Sequence, residues 1–199
     1  MTERIILASN SAIRQALLRN AGVEFTALPA RIDEDSVRDA LLAESAPPRD
    51  IADALAEMKA LKLSDKHPGA LVVGCDQVLA HDGRILSKPK TPEDALDQLR
   101  QMRGTAHRLI SAVVVCEGGK PLWRHVGVVK MQMRDVSDAY LDGYIARNWD
   151  SIRHAVGAYK LEEEGVRLFT GITGDYFHVL GLPLLELLGF LTTKGELES

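Results

Sequence analysis

The sequence is poor in cysteine, in aromatic residues and in long apolar runs, and the first and last of these shortages each exclude a class of protein. Only Cys75 and Cys116 occur among 199 residues, so a disulfide scaffold is excluded and both thiols are predicted to be reduced and buried. Aromatic residues make up 5% of the chain. No apolar stretch approaches the ~18 residues that cross a bilayer, and no signal-peptide pattern precedes the first apolar run. We therefore expect a cytoplasmic protein without a membrane partner.

Basic residues are outnumbered by acidic ones. The chain has 24 Lys and Arg and 28 Asp and Glu, which gives a formal net charge of −4. Nucleic-acid-binding surfaces usually carry a basic balance or a basic stripe, so we predict no nucleic-acid partner. A small phosphorylated ligand remains compatible, since a few local cations suffice for it. The six histidines lack zinc-ligand spacing, and no dinucleotide, P-loop or zinc-protease motif occurs.

The alternation of helical and strand patterns predicts an α/β protein forming a single domain over residues 1–199. Turn signals at residues 82–83 and 117–120 predict hairpins, and hairpins imply a mixed sheet. A buried strand is expected at residues 5–8, followed by a helix capped within residues 9–11. A further helix is expected at about residues 50–64, and a buried strand within residues 70–79. The last quarter is predicted to form two strands and a short helix at about residues 183–190.

Finer expectations concern which residues face inward. On the helix at about residues 50–64, the apolar spacing predicts an inward face that includes Met58. On the strand after the 117–120 turn, Val126 and Val128 are predicted to face inward, with a slip in the alternation before Met131. Residues 33–35 are expected to form an irregular acidic loop.

Asp76 is the most informative single residue, because it interrupts an otherwise apolar strand. Burying an ionised carboxylate is costly unless it is paired or bound to a metal. Three roles remain open from the sequence alone: metal ligand, general base, or structural partner of a lysine.

A phosphate site is a second possibility, at the start of the first helix. Ser9, Ser11 and Arg14 lie where backbone N–H groups favour an anion, although an ordinary helix cap with a surface arginine would look the same. Lys59 and Lys88 are each more typical of solvated surface residues, and Pro89 restricts Lys88 to an extended conformation.

The remaining candidates have a structural default. The acidic triplet at residues 162–164 is most simply a charged turn, and His107 is expected to be a hydrogen-bonded structural histidine. Taken together, the carboxylates, lysines, arginine and serines suit an oxygen-coordinated Mg²⁺ or Mn²⁺ ion and a polyphosphate. No nucleophile-elbow motif supports acyl transfer.

With these residues located, the chain resembles the Maf family, also called septum-formation-inhibitor proteins, which are nucleoside triphosphate pyrophosphatases. The resemblance covers nearly the full length, and several blocks occur in register: Leu7-Ala8-Ser9-Asn10-Ser11 with Arg14, Asp33-Glu34, Lys59-Ala60, Gly74-Cys75-Asp76-Gln77-Val78, Lys88-Pro89, Lys160 with Glu162, and Gly174-Asp175-Tyr176 leading to Gly181-Leu182-Pro183-Leu184. It implies an elongated, twisted mixed sheet flanked by helices, with two lobes around a central cleft. It also implies hydrolysis of a nucleoside triphosphate to the monophosphate and pyrophosphate with Mg²⁺, Mn²⁺ or Co²⁺, and a possible homodimer.

The resemblance implies roles for individual residues. Asp76 matches the family's proton acceptor and, with Lys88, is expected to be catalytic. Substrate binding is implied for Ser9, Ser11, Arg14, Lys59 and Lys88. Glu34 matches the acidic residue of the cleft and is expected to hold the metal together with Asp76.

Base specificity is implied for Ile13, Gln77 and Glu162. Gln77 and the segment Lys160-Leu161-Glu162 resemble the subgroup acting on 7-methyl-GTP. Ile13 stands where the subgroup is expected to carry an aromatic residue, and an isoleucine cannot stack on a cationic base. Ser87 and Glu163 stand where the family usually has glycine. The predicted substrate is therefore 7-methyl-GTP or a pyrimidine nucleotide (dTTP, UTP or CTP).

The physiological purpose implied by the resemblance is the clearing of non-standard nucleotides. Two alternatives stand beside this interpretation. One is a nucleotide-binding regulator of cell division or septum formation that does not hydrolyse its ligand. The other is a phosphohydrolase that acts on a terminal phosphate or a sugar phosphate.

Overall fold

A mixed β-sheet is the main feature of the computed structural model, which describes residues 4–198. Seven strands join in the order β2-β1-β3-β5-β6-β7, with β4 paired to β3. β1 is parallel to β2 and β3, whereas the β3–β4 and β6–β7 pairs are antiparallel. The predicted α/β class with a mixed sheet is confirmed. The strands are β1 (Ile5–Leu7), β2 (Thr26–Ala27), β3 (Leu71–His81), β4 (Arg84–Leu86), β5 (Ala106–Glu117), β6 (Lys120–Met133) and β7 (Phe169–Thr173).

Helices flank the sheet and occupy most of the connections between strands. Short 3₁₀ turns also occur at Val156–Ala158 and Glu164–Leu168. The helices are α1 (Ala12–Asn20), α2 (Glu34–Ala43), α3 (Pro48–Ser64), α4 (Pro92–Met102), α5 (Asp138–Ile152), α6 (Tyr176–Val179) and α7 (Leu184–Thr193). Within residues 4–198, no helix has both the length and the apolar character needed to cross a membrane.

The chain divides into two compact units. The first unit takes in the chain up to Asp76, Ser111–Gly127 and the chain from Gly181 onward, and the second takes in Gln77–Ile110 and Val128–Leu180. The predicted arrangement of one domain as two lobes around a cleft stays a prediction. Residues 1–3 and 199, the two ends of the predicted domain, lie outside the described residues.

The close packing of α3 on β3 in the first unit depends on a glycine and two alanines. A Cβ atom at Gly74 would lie 2.1 Å from the Ala56 carbonyl oxygen and 2.8 Å from the Ala60 backbone nitrogen. Only glycine therefore permits this approach. The predicted inward position of Met58 is wrong, since 40% of this residue is exposed. The buried face instead follows the small residues and comprises Ile51, Ala52, Leu55, Ala56, Lys59, Ala60, Leu63 and Ser64.

Helix α2 replaces the irregular loop predicted around residues 33–35. The Asp33 carboxylate accepts a hydrogen bond from the Ser36 backbone N–H at 3.1 Å and another from its hydroxyl at 2.8 Å, which caps the helix and lowers the pKa of Asp33. No residue of α2 is buried. The exposed acidic residues at the start of this helix account for the loop that was predicted there.

Two further expectations are corrected in the second half of the chain. On β6, Val129 and Met131 are buried, whereas 48% of Val128 is exposed. The predicted inward position of Val128 is therefore wrong. Buried and exposed residues alternate here without the predicted slip. In the last quarter only β7 forms a strand within the described residues, so the second predicted strand is wrong, whereas the helix predicted at about residues 183–190 is confirmed as α7. Both cysteines are buried and form no disulfide, as predicted.

His107 is a buried structural histidine of the second unit, as its position on a strand predicts. It is 2% exposed, and its Nε2 shares a hydrogen bond of 2.7 Å with the Tyr159 hydroxyl. Its ring also packs against Phe169. Burial lowers the pKa of His107 to about 4, with a smaller contribution from His81.

The lowered pKa of His107 predicts a pH-dependent loss of stability. Because the folded state favours the neutral ring, its contribution is present above pH 6.5 and is lost as the pH falls from 6.5 towards 4. The His107→Gln variant has no ring to titrate. Urea unfolding should show that the wild-type free energy of unfolding falls by about 2 kcal/mol more than that of the variant across this window. Parallel pH profiles for the two proteins would contradict the assignment.

Candidate active site

Ser9 and Ser11 shape the turn between β1 and α1. Ser9 is 9% exposed, and its hydroxyl oxygen accepts a hydrogen bond of 3.1 Å from the Ser11 backbone N–H. Ser11 is the N-cap residue of α1, yet within the described chain its hydroxyl caps no N–H of the first turn. The N-cap residue therefore lies within the predicted run but forms no side-chain cap, and the first-turn N–H groups of α1 keep their capacity to bind an anion. Ile13 is half-buried in this first turn.

Arg14, one turn further on, is held by two backbone carbonyls. Its Nε donates to the Gly181 oxygen at 2.7 Å, and its Nη1 donates to the Cys75 oxygen at 3.1 Å. Cys75 immediately precedes Asp76, so this contact brings the guanidinium close to the carboxylate on β3. Arg14 is therefore a half-buried and anchored residue.

A buried ion pair joins α3 to β3. The Lys59 ammonium lies 2.7 Å from the Asp76 carboxylate and 3.0 Å from that of Glu34. Lys59 is 7% exposed and Asp76 is 6% exposed, whereas the Glu34 side chain is 43% exposed. The expectation of a solvated Lys59 is wrong, because the close approach of α3 to Gly74 turns this residue towards the sheet.

Burial and charge act in opposite directions on Asp76. The largest effect is burial, which raises the pKa of Asp76. The charge and hydrogen bond of Lys59 lower this pKa, and the charge of Arg14 lowers it further. The charge of Glu34 has a small raising effect. Burial prevails, so the pKa lies above its ordinary value. Burial likewise raises the pKa of Cys75 to about 11, which leaves this thiol uncharged at neutral pH.

The other predicted site residues, Gln77, Lys88 and Glu162, belong to the second unit. Lys88 is exposed in the segment after β4, and the following Pro89 is buried. The approach of Lys88 to Asp76 stays a prediction. Gln77 follows Asp76 directly on β3, and its side-chain amide donates to the backbone oxygens of His178 at 3.0 Å and Val179 at 2.9 Å. Both bonds are donated by the same amide nitrogen, Nε2.

Glu162 lies in the predicted charged turn. The Lys160 ammonium donates to the Ser151 hydroxyl at 2.7 Å and lies 3.3 Å from the Glu163 carboxylate. Arg147 and Asn148 hold the pKa of Glu164 at about 2. Glu162 is exposed, and no described residue forms an ion pair or hydrogen bond with its side chain. Glu163 is exposed as well, but its carboxylate contacts Lys160 and Ser151.

Comparison with known proteins identifies the family of the chain. A model of the family described as Maf-like protein matches residues 4–194. A protein of Ruegeria pomeroyi named nucleoside triphosphate pyrophosphatase is 67% identical over 199 residues, which is 100% of both chains. A Caulobacter vibrioides protein of the same name is 52% identical over 97% of this chain and 96% of its own. A Brucella abortus protein named 7-methyl-GTP pyrophosphatase is 48% identical over 96% of each chain.

The relatives confirm two predictions. The chain is an enzyme of the hydrolase class. It belongs to the Maf family, as the resemblance implies.

Sequence reasoning missed two glycines that position the site. Gly74 admits α3, and the Gly181 carbonyl anchors Arg14. Both lie in blocks that carry the family resemblance, but no periodicity distinguishes them from turn glycines. The missed orientation of Lys59 had a visible signal, because Ala52, Ala56 and Ala60 recur at a spacing of four residues beside it.

The ion pair predicts that Lys59→Met is destabilising in a pH-dependent manner. Removing the main partner that lowers the pKa of Asp76 leaves two carboxylates facing one another. Because the pKa of Asp76 is raised in the folded state, folding favours the protonated carboxyl group. The stability that comes from this protonation is present at low pH and is lost as the pH rises through the folded-state pKa. With a chelator present, the free energy of unfolding should fall by roughly 3–5 kcal/mol at pH 8 and by less at pH 5.

Lys66→Met is the matched control for this substitution, since Lys66 is an exposed lysine just after α3. It should leave the free energy of unfolding within ~0.5 kcal/mol of wild type at both pH values. A Lys59→Met protein as stable as this control at pH 8 would show that the pair does not support the folded state.

Proposed function

We propose that this protein hydrolyses a nucleoside triphosphate to the monophosphate and pyrophosphate, by attack of water on the α-phosphorus. The observation that carries the proposal is the buried Asp76 carboxylate, 2.7 Å from the Lys59 ammonium and next to the residue whose carbonyl holds Arg14. Relatives of up to 67% identity that bear the name nucleoside triphosphate pyrophosphatase support it.

Asp76 is proposed as the proton acceptor for the attacking water. A raised pKa makes its carboxylate a stronger base than an ordinary aspartate. The adjacent ammonium of Lys59 favours the ionised form, in which the carboxylate can accept a proton. The pair therefore combines basicity with charge, as a general base near neutral pH requires.

Positive charge and backbone donors are proposed to bind the triphosphate. Arg14 brings a planar fork of N–H groups that matches phosphate oxygens. The N-terminus of α1, with Ser9 and Ser11, adds backbone and hydroxyl donors from the same helix. Lys88 is proposed to contribute a further positive charge to catalysis and binding. Such groups lower the barrier when they stabilise charge that develops on the leaving pyrophosphate.

A divalent cation is proposed as the cofactor, and the residues present fit one. Glu34 and Asp76 both contact the Lys59 ammonium, so their carboxylates already converge on a positive charge. Carboxylate oxygens are the ligands that Mg²⁺ and Mn²⁺ prefer, and Co²⁺ is the third candidate. A cation held by these two residues would neutralise negative charge on the triphosphate.

The proposed base is 7-methylguanine or a pyrimidine. The exposed Glu162 carboxylate suits a cationic base such as 7-methylguanine, and the Brucella relative at 48% identity is named for 7-methyl-GTP. Gln77 is proposed to act indirectly, because its amide nitrogen is engaged by the carbonyls of His178 and Val179. Ile13 is proposed to contact the base through apolar surface alone. The purpose proposed for the reaction is removal of non-standard nucleotides.

Asp76→Asn tests the base assignment, since it keeps the volume and removes both charge and basicity. Pyrophosphate release should fall by about 100-fold or more, which corresponds to about 2.7 kcal/mol of transition-state stabilisation. Asp39→Asn, at an exposed position of α2, is the control and should retain wild-type turnover. An Asp76→Asn enzyme within about tenfold of wild type would disprove the assignment.

The identity of the product separates the proposal from its alternatives. Pyrophosphate with the nucleoside monophosphate is expected. Orthophosphate would indicate a different phosphohydrolase, and nucleotide binding without any product would indicate a regulator.

Glu162→Gln tests the proposed base preference. Turnover of 7-methyl-GTP, GTP, dTTP, UTP and CTP should be measured with Mg²⁺, Mn²⁺ and Co²⁺. Loss of the carboxylate should lower kcat/KM for 7-methyl-GTP relative to dTTP by about tenfold, since one lost charge contact is worth about 1.4 kcal/mol. Glu93→Gln, at an exposed site of α4, should leave this ratio unchanged. A flat profile across the bases would refute the preference.

A further inference from the structure

Arg14, in the first unit, is held by uncharged groups and not by a carboxylate. Both its hydrogen bonds go to backbone carbonyls, and within residues 4–198 it forms no ion pair within 4 Å. A guanidinium has five N–H donors, so three remain after these two bonds. Its positive charge is not neutralised by a direct carboxylate partner and stays available to an anion.

Gly181 contacts Arg14 in two ways. Its carbonyl accepts the Nε hydrogen bond at 2.7 Å. Its missing side chain matters as well, because a Cβ atom there would lie 3.0 Å from Nη2 and 3.2 Å from Nε of Arg14. The residue also has a φ of +86°, a conformation that favours glycine. Any side chain at this position would press on the guanidinium group that its own carbonyl holds.

We propose that Gly181 is a positioning residue for Arg14, fixing the plane of the guanidinium and keeping Nη2 clear to donate to a phosphate oxygen. The inference rests on the proposed function, in which Arg14 binds the triphosphate. A planar fork binds phosphate best when its orientation is set in advance. The Cys75 carbonyl, which accepts the Nη1 bond, supplies the second fixed point.

Gly181→Ala tests the proposal, with Gly69→Ala as the matched control. Gly69 also belongs to the first unit and has a φ of +90°, but an added Cβ there meets nothing within 4 Å. Both variants therefore carry similar backbone strain, and only one presses on Arg14. Gly181→Ala should lower kcat/KM for pyrophosphate release by about tenfold or more relative to Gly69→Ala. Equal values for the two variants would overturn the proposal.

A double-mutant cycle distinguishes positioning from a general structural effect. In the Arg14→Ala background, Gly181→Ala should change kcat/KM by less than about twofold, because the group that it displaces is gone. The same loss in both backgrounds would overturn the proposal. Arg14→Lys keeps the charge but not the fork, and it should also lose about tenfold or more. If Arg14→Lys retains wild-type kcat/KM, anchoring by Gly181 is not needed.

Binding of inorganic tripolyphosphate, measured by calorimetry on the same proteins, separates this inference from the proposed function. Gly181→Ala should weaken binding by about tenfold in the Arg14 protein and by less than about twofold in the Arg14→Ala protein. This pattern supports positioning even if no nucleotide is hydrolysed. Binding that is unchanged by Gly181→Ala would overturn the positioning role, whereas a missing pyrophosphate product would overturn the proposed function alone.

Discussion

The ion pair between Lys59 and Asp76 is the interaction on which the candidate site depends. An ionised carboxylate within a buried strand is unstable on its own, and an ammonium on a buried helical face is equally so. Their separation of 2.7 Å lets each offset the desolvation of the other. That separation exists only because Gly74 allows α3 to approach β3 closely enough. A packing feature of the backbone thus places a charged partner beside the Asp76 carboxylate.

The same pair is central to the proposed polyphosphate site. Glu34, at the start of α2, shares the ammonium with Asp76, and these two carboxylates are the ligands proposed for a divalent cation. Arg14 brings a positive charge that neutral carbonyls hold in place. The result is an arrangement with one basic carboxylate and separate anion-binding donors. Hydrolysis of a phosphoanhydride needs such a division, because the base must accept a proton while other groups stabilise the leaving phosphates.

Much of this arrangement could be predicted from the sequence. A carboxylate within an apolar strand identified Asp76, and the turn after β1 identified the serines and Arg14, because these signals are local. The burial of Lys59 was missed because the inward face of α3 is set by alanines that fit against Gly74, not by its largest apolar residues. Helix α2 was missed because the acidic residues at its start are equally typical of a solvated loop. The anchoring of Arg14 by Gly181 joins residues 167 positions apart, and no local pattern encodes such a contact.

Hydrolysis in water enriched in ¹⁸O tests the central claim most directly, because the label marks the phosphorus atom that water attacks. We expect the label in the nucleoside monophosphate and none in the pyrophosphate, as determined by mass spectrometry of both products. Label in pyrophosphate, or release of labelled orthophosphate, would contradict attack at the α-phosphorus. It would also remove the role assigned to the buried carboxylate of Asp76.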